Sequence, residues 1–175
     1  MPFDGLICLL MFWQHKHPAG QAGPKFKRVW KNNLRFLFAL DTCWTKVDDK
    51  AYWISTTKKK NKDAEADCIS RGGKLAEPRN YRENSFVADL AERKGLSGFM
   101  IGIHDKKENG KEHEGHFVYE SDNQPIVWKN WLPGQPNNKY NKCFGDEDCV
   151  EVKTDPKGKW NDICCGKRRY YVCEK

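Results

Sequence analysis

The alternation of apolar and polar positions becomes regular from about residue 51. Tyr52–Ser55 alternates apolar and small residues, which predicts a short β-strand. Further along, Ala64, Cys68 and Ile69 recur at helical spacing and predict the buried face of a helix. Gly72–Gly73 follows this stripe, and glycine commonly ends a helix. We therefore expect a strand followed by a first amphipathic helix.

A second helix is predicted to begin at Asn80. Its side chain is a good N-cap, and Glu83 stands three residues later, where a capping box has its acidic residue. The apolar stripe of this helix consists of Phe86, Val87, Leu90 and Ala91. We interpret the stripes of both helices as core positions and not as a cofactor site.

Short strand patterns dominate the rest of the chain. Four strands are predicted, at Phe99–Ile103, Phe117–Tyr119, Cys149–Val152 and Tyr170–Glu174. Trp160–Cys165 lies between the last two, and His104–His116 is interpreted as a polar connection. Leu132–Asp146 is a long loop dense in Pro, Gly and Asn, and such a loop inside a compact domain is usually functional. Two helices followed by short strands predict an α+β fold.

Aromatic residues are plentiful enough to build the core of this domain. The 175 residues include 7 Trp, 6 Tyr and 9 Phe, and large rings bury much area per residue. Trp128 and Trp131 precede the long loop, and Trp160 follows it. We interpret these three tryptophans as core residues around the loop and not as platforms on which a sugar stacks.

The chain contains 8 cysteines, six of which lie from Cys68 onward. An even number of cysteines in a small, loop-rich domain indicates a disulfide framework and an oxidising compartment. Zinc is the rival interpretation, but its ligands favour C-x2-C spacing. The close cysteines here are Cys143 with Cys149 and the adjacent Cys164 and Cys165. We therefore predict disulfides and a secreted protein.

The formal net charge is +7, with basic clusters at Lys58–Lys60 and at Lys167–Arg169. Such clusters are compatible with binding to nucleic acid or an anionic glycan. Acidic residues are interleaved along the chain, however, and no nucleic-acid-binding motif is present. We interpret the basic clusters as solvated surface and predict no nucleic-acid partner.

Residues 1–42 do not fit the pattern of a globular domain. Leu6–Trp13 is apolar but far shorter than the ~20 residues that a membrane span needs. Asp4 stands where a signal peptide has a basic residue, and Lys16 follows the apolar run. We predict no membrane span and interpret residues 1–42 as an N-terminal extension, either a signal segment or an artefact of the gene model. No function is assigned to it.

Oxygen-bearing side chains are concentrated in three short segments of the second half. These segments are Gln135–Asn138, Asp146–Cys149 and Trp160–Asp162. Calcium takes 6–8 oxygen ligands and accepts carboxylates, amide carbonyls, backbone carbonyls and waters together. Neutral amides suit a site that keeps coordination positions open for a ligand. The pattern therefore favours a calcium site over a magnesium site, which demands a strict octahedron.

From Ala51 to Lys175 the sequence resembles a C-type lectin domain, and within that family the carbohydrate-recognition domain of collectins. No single triplet is decisive, but the set occurs in the order of the family. The matching residues are Cys68, Gly72-Gly73-Lys74-Leu75-Ala76 and Pro78, Ile101-Gly102-Ile103, Glu114-Gly115-His116-Phe117, Asn130-Trp131, Gly134-Gln135-Pro136-Asn137, Glu147-Asp148-Cys149-Val150, Trp160-Asn161-Asp162, Cys165 and Tyr171-Val172-Cys173-Glu174.

The resemblance implies a C-type lectin fold over residues 43–175, with two helices packed on short antiparallel strands and a long calcium-binding loop. It also implies the disulfides Cys68–Cys173 and Cys149–Cys165. Cys143 and Cys164 are then left over, and we infer that they pair and staple the long loop. A bridge between the adjacent Cys164 and Cys165 would be strained. For Cys43 three possibilities stay open: a disulfide with Cys8, a disulfide with another chain, or a free thiol.

By the same resemblance, Gln135, Asn137, Glu147, Asn161 and Asp162 are the predicted calcium ligands, and two sugar hydroxyls complete the coordination. Pro136 is expected to be cis. A second calcium site would use Asp105, Glu114, Asn138 and Asp148 together with Glu147. This chain departs from the family at the ligand triplet. It has Gln-Pro-Asn, whereas mannose-type sites have Glu-Pro-Asn and galactose-type sites have Gln-Pro-Asp. One carboxylate fewer implies weaker calcium binding and less certain selectivity.

These observations predict a binding protein and not an enzyme. His113-Glu114-Gly115-His116 lacks the H-E-x-x-H spacing of a zinc protease, and Gly115 opposes a helix. The expected function is calcium-dependent binding of mannose, fucose or N-acetylglucosamine on cell or microbial surfaces, in innate immunity or adhesion. The alternative is a C-type lectin-like domain that binds protein, mineral or ice without sugar.

Overall fold

The computed structural model describes residues 44–108, 111–139, 146–155 and 158–175, apart from the side chains of residues 106–108 and 111–114. The predictions for residues 1–42 lie outside the described residues. In chain order the elements are β1 (Thr45–Val47), β2 (Lys50–Ile54), α1 (Asn61–Ser70), β3 (Lys74–Leu75), α2 (Tyr81–Arg93), β4 (Gly98–Glu108), β5 (Lys111–Tyr119), β6 (Cys149–Lys153), β7 (Lys159–Ile163) and β8 (Val172–Glu174). The predicted α+β class is confirmed.

The strands form two antiparallel sheets. In the first sheet β8 lies between β2 and β3, so that Cys173 is paired with both Trp53 and Leu75. The second sheet has the order β5-β4-β6-β7. Its outer strand β7 pairs with β6 so that Asp162 lies opposite Val150 and Asn161 lies opposite Glu151. The predicted ligands of β7 are therefore carried by the outermost strand of this sheet.

Helix α1 buries Ala64 and Cys68, as predicted, but leaves Ile69 60% exposed. The assignment of Ile69 to the core was wrong. The helix runs over only 10 residues, and the Cys68–Cys173 disulfide joins it to β8. Position 69 is adjacent to that contact along the chain but lies on the solvent side of it.

Helix α2 begins as predicted. The Asn80 side chain accepts a hydrogen bond from the backbone N–H of Glu83 at 2.9 Å. The Glu83 carboxylate accepts a hydrogen bond from the backbone N–H of Arg79 at 3.1 Å. In a capping box it would accept from the N–H of the N-cap residue itself, Asn80. Within the predicted stripe Val87 and Ala91 are buried, whereas its other two members are only partly buried.

The polar segment His104–His116 is not a connection, and this prediction was wrong. It forms most of a hairpin in which β4 continues to Glu108 and β5 begins at Lys111. The pairing register shifts between Asp105 and Lys107. Backbone hydrogen bonding between the two strands stabilises this extension. It needs no apolar alternation, which is why the side-chain pattern did not reveal it.

The core lies where α2 and both sheets meet, and Trp160 is its largest fully buried side chain. The Trp160 ring makes edge-on contacts with Trp128 and Trp131, at centroid distances of 5.3 and 5.6 Å. Both of these rings are partly buried against the core. The interpretation of the three tryptophans as core residues is therefore confirmed.

The two disulfides implied by the resemblance, Cys68–Cys173 and Cys149–Cys165, are both present. Cys164 is also disulfide-bonded. Its predicted partner, Cys143, lies outside the described residues. No helix in the described part of the chain is long and apolar enough to cross a membrane.

Candidate functional site

The first part of the long loop is held along the free edge of β7. The backbone N–H of Trp160 donates to the carbonyl of Asn130 at 2.8 Å, and the N–H of Leu132 donates to the carbonyl of Trp160 at 2.9 Å. Beyond this contact the chain turns at Gly134, which has a positive φ of 78° that favours glycine. The Gln135–Pro136 peptide is cis, as expected. The turn brings Asn137 and Asn138 back towards β7.

The Asp162 carboxylate holds the loop by hydrogen bonds. It is 1% exposed, and its Oδ2 accepts hydrogen bonds from the backbone N–H groups of Asn137 at 2.8 Å and Asn138 at 2.7 Å. The other oxygen, Oδ1, is buried and has no hydrogen-bond partner among the described residues. One carboxylate thus ties the loop to the sheet and keeps an acceptor free for a ligand.

Glu147 approaches the same place from the other end of the loop. Its backbone N–H donates to Asn138 Oδ1 at 2.9 Å, and its Oε2 accepts from the backbone N–H of Lys139 at 3.2 Å. Its Oε1 lies 3.7 Å from the Lys167 ammonium. Asn138, with a positive φ of 44°, therefore bonds β7 through its backbone N–H and the second end of the loop through its side chain.

The two remaining predicted ligands have amide oxygens available for a ligand. The Asn161 side chain donates its Nδ2 hydrogen to the backbone carbonyl of Asp162 at 2.7 Å, which fixes the amide orientation. Gln135 Oε1 is buried and accepts no hydrogen bond from any described residue. Two buried oxygens of the predicted set, Gln135 Oε1 and Asp162 Oδ1, therefore lack partners. Buried polar atoms normally have one, so these two call for a ligand.

A cavity of about 300 Å³ lies beside this loop. Three of the five predicted ligands line it together, and the other two are chain neighbours of lining residues. The opposite wall comes from the β4–β5 hairpin. The lining residues are Asp105, Gly115, Phe117, Pro136, Asn137, Asn138, Glu147 and Asp162.

Asp105, predicted for a second calcium site, belongs to this wall and is 7% exposed. Both of its oxygens accept backbone hydrogen bonds, from Gly115 at 2.6 Å and His116 at 2.8 Å. Its own N–H donates to the carbonyl of Asp148 at 2.7 Å. The Glu114 side chain lies outside the described residues. Asp105 is thus engaged in holding the hairpin, and the second site stays a prediction.

The donor set fits calcium better than a transition metal. Within the described residues, no three or more His, Cys, Asp and Glu side chains are arranged to hold a metal ion. The predicted set instead combines two carboxylates, Glu147 and Asp162, with three amides. Hard cations accept such all-oxygen sets, whereas zinc prefers nitrogen and sulfur ligands. The unpartnered oxygens of Gln135 and Asp162 agree with a cation bound there.

A polar network below the site was missed from the sequence. Trp160 donates its indole N–H to Asn84 Oδ1 at 2.7 Å, and Asn84 Nδ2 donates to the carbonyl of Gly158 at 2.9 Å. Asn130 Nδ2 donates to the same carbonyl at 2.9 Å. The network fixes the strand that carries Asn161 and Asp162. A signal was available, because Asn84 is a polar residue three positions before Val87 in the apolar stripe of α2.

The sequence of this chain is similar to those of known proteins. A family described as "Lectin C-type domain" matches residues 57–175. Collectin-11 of Danio rerio is 36% identical over 82% of this chain and 49% of its own length, and pulmonary surfactant-associated protein D of Bos taurus is 35% identical over 73% and 31%. The chain thus spans about half or less of the length of these curated relatives.

Solved structures agree with this assignment. The carbohydrate-recognition domain of mouse scavenger receptor C-type lectin has a TM-score of 0.65 at 27% identity, covering 75% of this chain and 94% of that chain. The cow CD23 domain, solved in the presence of a GlcNAc2Man3 oligosaccharide, has a TM-score of 0.61 at 32% identity and covers 75% and 92%. The chain therefore belongs to the C-type lectin domain family, whose domains are binding modules and not enzymes.

Proposed function

We propose that this chain binds carbohydrate through a calcium ion held by Gln135, Asn137, Glu147, Asn161 and Asp162. The observation that carries the proposal is the divided use of the Asp162 carboxylate. One oxygen holds the loop through two backbone N–H groups, and the other is buried, unpartnered and beside a cavity. A buried acceptor without a partner costs about 1–3 kcal/mol, so the free protein is prepared for a ligand at this point.

The proposed ligand set explains how a sugar would be oriented. Carboxylates such as Glu147 accept hydrogen bonds from hydroxyls, while amides such as Asn137 and Asn161 donate to them. Two adjacent hydroxyls that also touch the calcium ion would each meet a metal, a donor and an acceptor. Asn137 is exposed and lines the cavity, so its amide is accessible to a ligand there.

The expected preference is for mannose, fucose or N-acetylglucosamine. Asn137 supplies a donor at the position where the mannose-type triplet has one. Gln135 supplies an uncharged amide in place of a carboxylate, so that binding is weak and selectivity broad. The 32%-identical CD23 domain solved with a mannose-containing oligosaccharide supports this preference. The similarity of this chain to collectins supports a secreted protein that acts on cell or microbial glycans in innate immunity or adhesion.

A glycan array tests the proposal directly. The chain should bind mannose-type, fucose-type or N-acetylglucosamine-type glycans in calcium and lose them when a chelator is added. Binding that is unchanged by the chelator, or a strict preference for galactose, would contradict it. Calorimetry with calcium alone separates a failure to bind the metal from a failure to bind the sugar.

The second candidate function is binding of protein, mineral or ice without sugar. It is favoured by the presence of glutamine at position 135, because the predicted ligand set then contains only two carboxylates. A calcium-independent type II antifreeze protein has the same fold, with a TM-score of 0.62 at 22% identity, so the fold itself does not require calcium. This function would be favoured if no glycan on the array bound in the presence of calcium and if calorimetry detected no calcium binding.

A further inference from the structure

Two basic segments that are more than a hundred residues apart in sequence lie side by side in the structure. The backbone N–H of Lys59 donates to the carbonyl of Arg169, and the N–H of Arg169 donates to the carbonyl of Lys59, both at 2.9 Å. The N–H of Asn61 donates to the carbonyl of Cys165 at 3.1 Å. Together they form a basic surface, defined by Lys58, Lys59, Lys60, Lys62, Lys167, Arg168 and Arg169.

Only part of this positive charge is neutralised. Lys59 is paired with Asp67 at 2.8 Å, Arg169 with Glu151 at 2.9 Å, and Lys167 approaches Glu147 at 3.7 Å. The other four cations are exposed and make no ion pair with a described residue: Lys58, Lys60, Lys62 and Arg168. Along the chain, Asp63 and Glu65 on α1 are the acidic residues nearest to Lys62. The surface therefore keeps an excess of cations that face solvent.

Paired cations give this surface its shape. The two backbone hydrogen bonds between Lys59 and Arg169 join the segments to each other. The ion pairs of Lys59 with Asp67 and of Arg169 with Glu151 anchor each segment to a largely buried carboxylate. The unpaired cations project from this fixed backbone. A charge array on a rigid base loses little conformational freedom when it binds a polymer of opposite charge.

Lys167 connects the basic surface to the proposed sugar site. Its ammonium lies 3.7 Å from a carboxylate oxygen of Glu147, a predicted calcium ligand. A chain of sugars that leaves the calcium site on this side would meet Lys167 and then Arg168. Sulfate or carboxylate groups on such a chain are the natural partners of guanidinium and ammonium groups.

We propose that the basic surface binds a sulfated or uronate-bearing polysaccharide without calcium. This goes beyond the proposed function, because it needs neither the metal nor the hydroxyl-binding site. Continuity with the sugar site favours a polysaccharide over nucleic acid. Single-stranded nucleic acid also needs exposed aromatic faces for stacking. The aromatic ring of this surface, Tyr170, is half-buried and already has the Lys58 ammonium 5.0 Å from its centroid.

The test is binding of the whole chain to immobilised heparin in chelator, with neutral dextran as the reference and rising salt. The variant Lys60→Ala/Lys62→Ala/Arg168→Ala should bind heparin about tenfold more weakly at about 0.15 M salt, and its salt dependence should be shallower. The control Arg82→Ala/Arg93→Ala/Lys94→Ala removes equal charge from α2 and its C-cap residue and should bind as the wild type does.

Three results would overturn the proposal. One is an equal loss of heparin affinity in the basic-surface variant and the α2 control. Another is heparin binding that disappears when a chelator is added. The third is duplex DNA displacing heparin at a lower concentration than dextran sulfate does, which would identify nucleic acid as the partner. An Asp162→Asn variant should keep heparin binding. Its behaviour separates a failure of this proposal from a failure of the calcium site.

Discussion

At the scale of single residues, Asp162 has two tasks that a sequence does not distinguish. Its Oδ2 accepts two loop N–H groups, and its Oδ1 is left for a ligand. Alanine at this position would remove both functions and orphan two backbone donors, at about 1–3 kcal/mol for each buried group. Loss of sugar binding in Asp162→Ala would therefore not separate metal binding from loop structure.

Asp162→Asn separates them. The amide keeps one oxygen acceptor for the loop and removes the negative charge that attracts calcium. We expect calcium affinity to fall about tenfold or more and sugar binding to be lost at millimolar calcium, while the thermal midpoint without calcium changes little. Calorimetry and thermal unfolding measure the two effects. Asp89→Asn, exposed on α2, is the control, and an unchanged calcium affinity for Asp162→Asn would remove Asp162 from the site.

Gln135→Glu tests the departure of the ligand triplet from the mannose type. Gln135 Oε1 is buried and without a partner, so a carboxylate there would gain a calcium ion as counter-charge. We expect calcium and mannose to bind several-fold to about tenfold more tightly. Without calcium the variant should be less stable than the wild type, because its charge is buried. Gln124→Glu is the exposed control, and calcium affinity that does not rise would show that Gln135 is no ligand.

At the scale of elements, α1 is docked through Asp67. This carboxylate accepts hydrogen bonds from Lys59 at 2.8 Å, Arg71 at 2.8 Å and the Tyr171 hydroxyl at 2.6 Å. Burial acts to raise the pKa of Asp67, but the hydrogen bonds from Arg71, Lys59 and Tyr171 outweigh it and hold the pKa below the ordinary aspartate value. A depressed folded-state pKa stabilises the fold above the unfolded-state value, and that contribution is lost as the pH falls.

Asp67→Asn should lower the free energy of unfolding by about 1–3 kcal/mol at neutral pH, because three donors lose a charged acceptor. The difference from the wild type should shrink below about pH 4, where the unfolded chain begins to take up the proton. Urea unfolding of both proteins at several pH values, with disulfides intact, measures it. Asp89→Asn should show no such dependence, and a difference that is constant with pH would rule out the charge as its cause.

At the scale of the whole molecule, disulfides hold distant parts of the chain together. Cys68–Cys173 spans 105 residues, and Cys149–Cys165 spans 16. Because Cys164 is also disulfide-bonded, the strand end that carries the site has two bridges at adjacent positions. A second bridge there would restrain the loop that supplies Asn137 and Glu147.

We predict that Cys143 is the partner of Cys164 and that all six cysteines from Cys68 onward are oxidised in the secreted protein. Peptide mapping without reduction should recover the two cysteines in one linked species. The Cys143→Ser/Cys164→Ser variant should keep its fold and bind calcium more weakly, because the free loop loses more entropy on binding. Free thiols at both positions, or zinc bound by them, would contradict the prediction.

Local signals predicted the helices well and the hairpin poorly. Asn80 and Glu83 define the start of α2 within a few residues, so their effect is visible in sequence. The β4–β5 hairpin is held by pairing between strands and by the Asp105 carboxylate, whose N–H donors lie ten and eleven residues away. The exposure of Ile69 depends on which side of α1 packs against the rest of the domain, and the spacing of apolar residues alone does not predict that side.

The sequence by itself was enough for the α+β class and the family, because the residues that carry them occur in a fixed order along the chain. The resemblance to that family then implied both described disulfides. It also named the candidate ligands. Only the tertiary structure decided how Asp162 divides its oxygens and that Lys59 lies against Arg169. Those facts depend on contacts between residues far apart in sequence, and such contacts form only when the whole chain has packed.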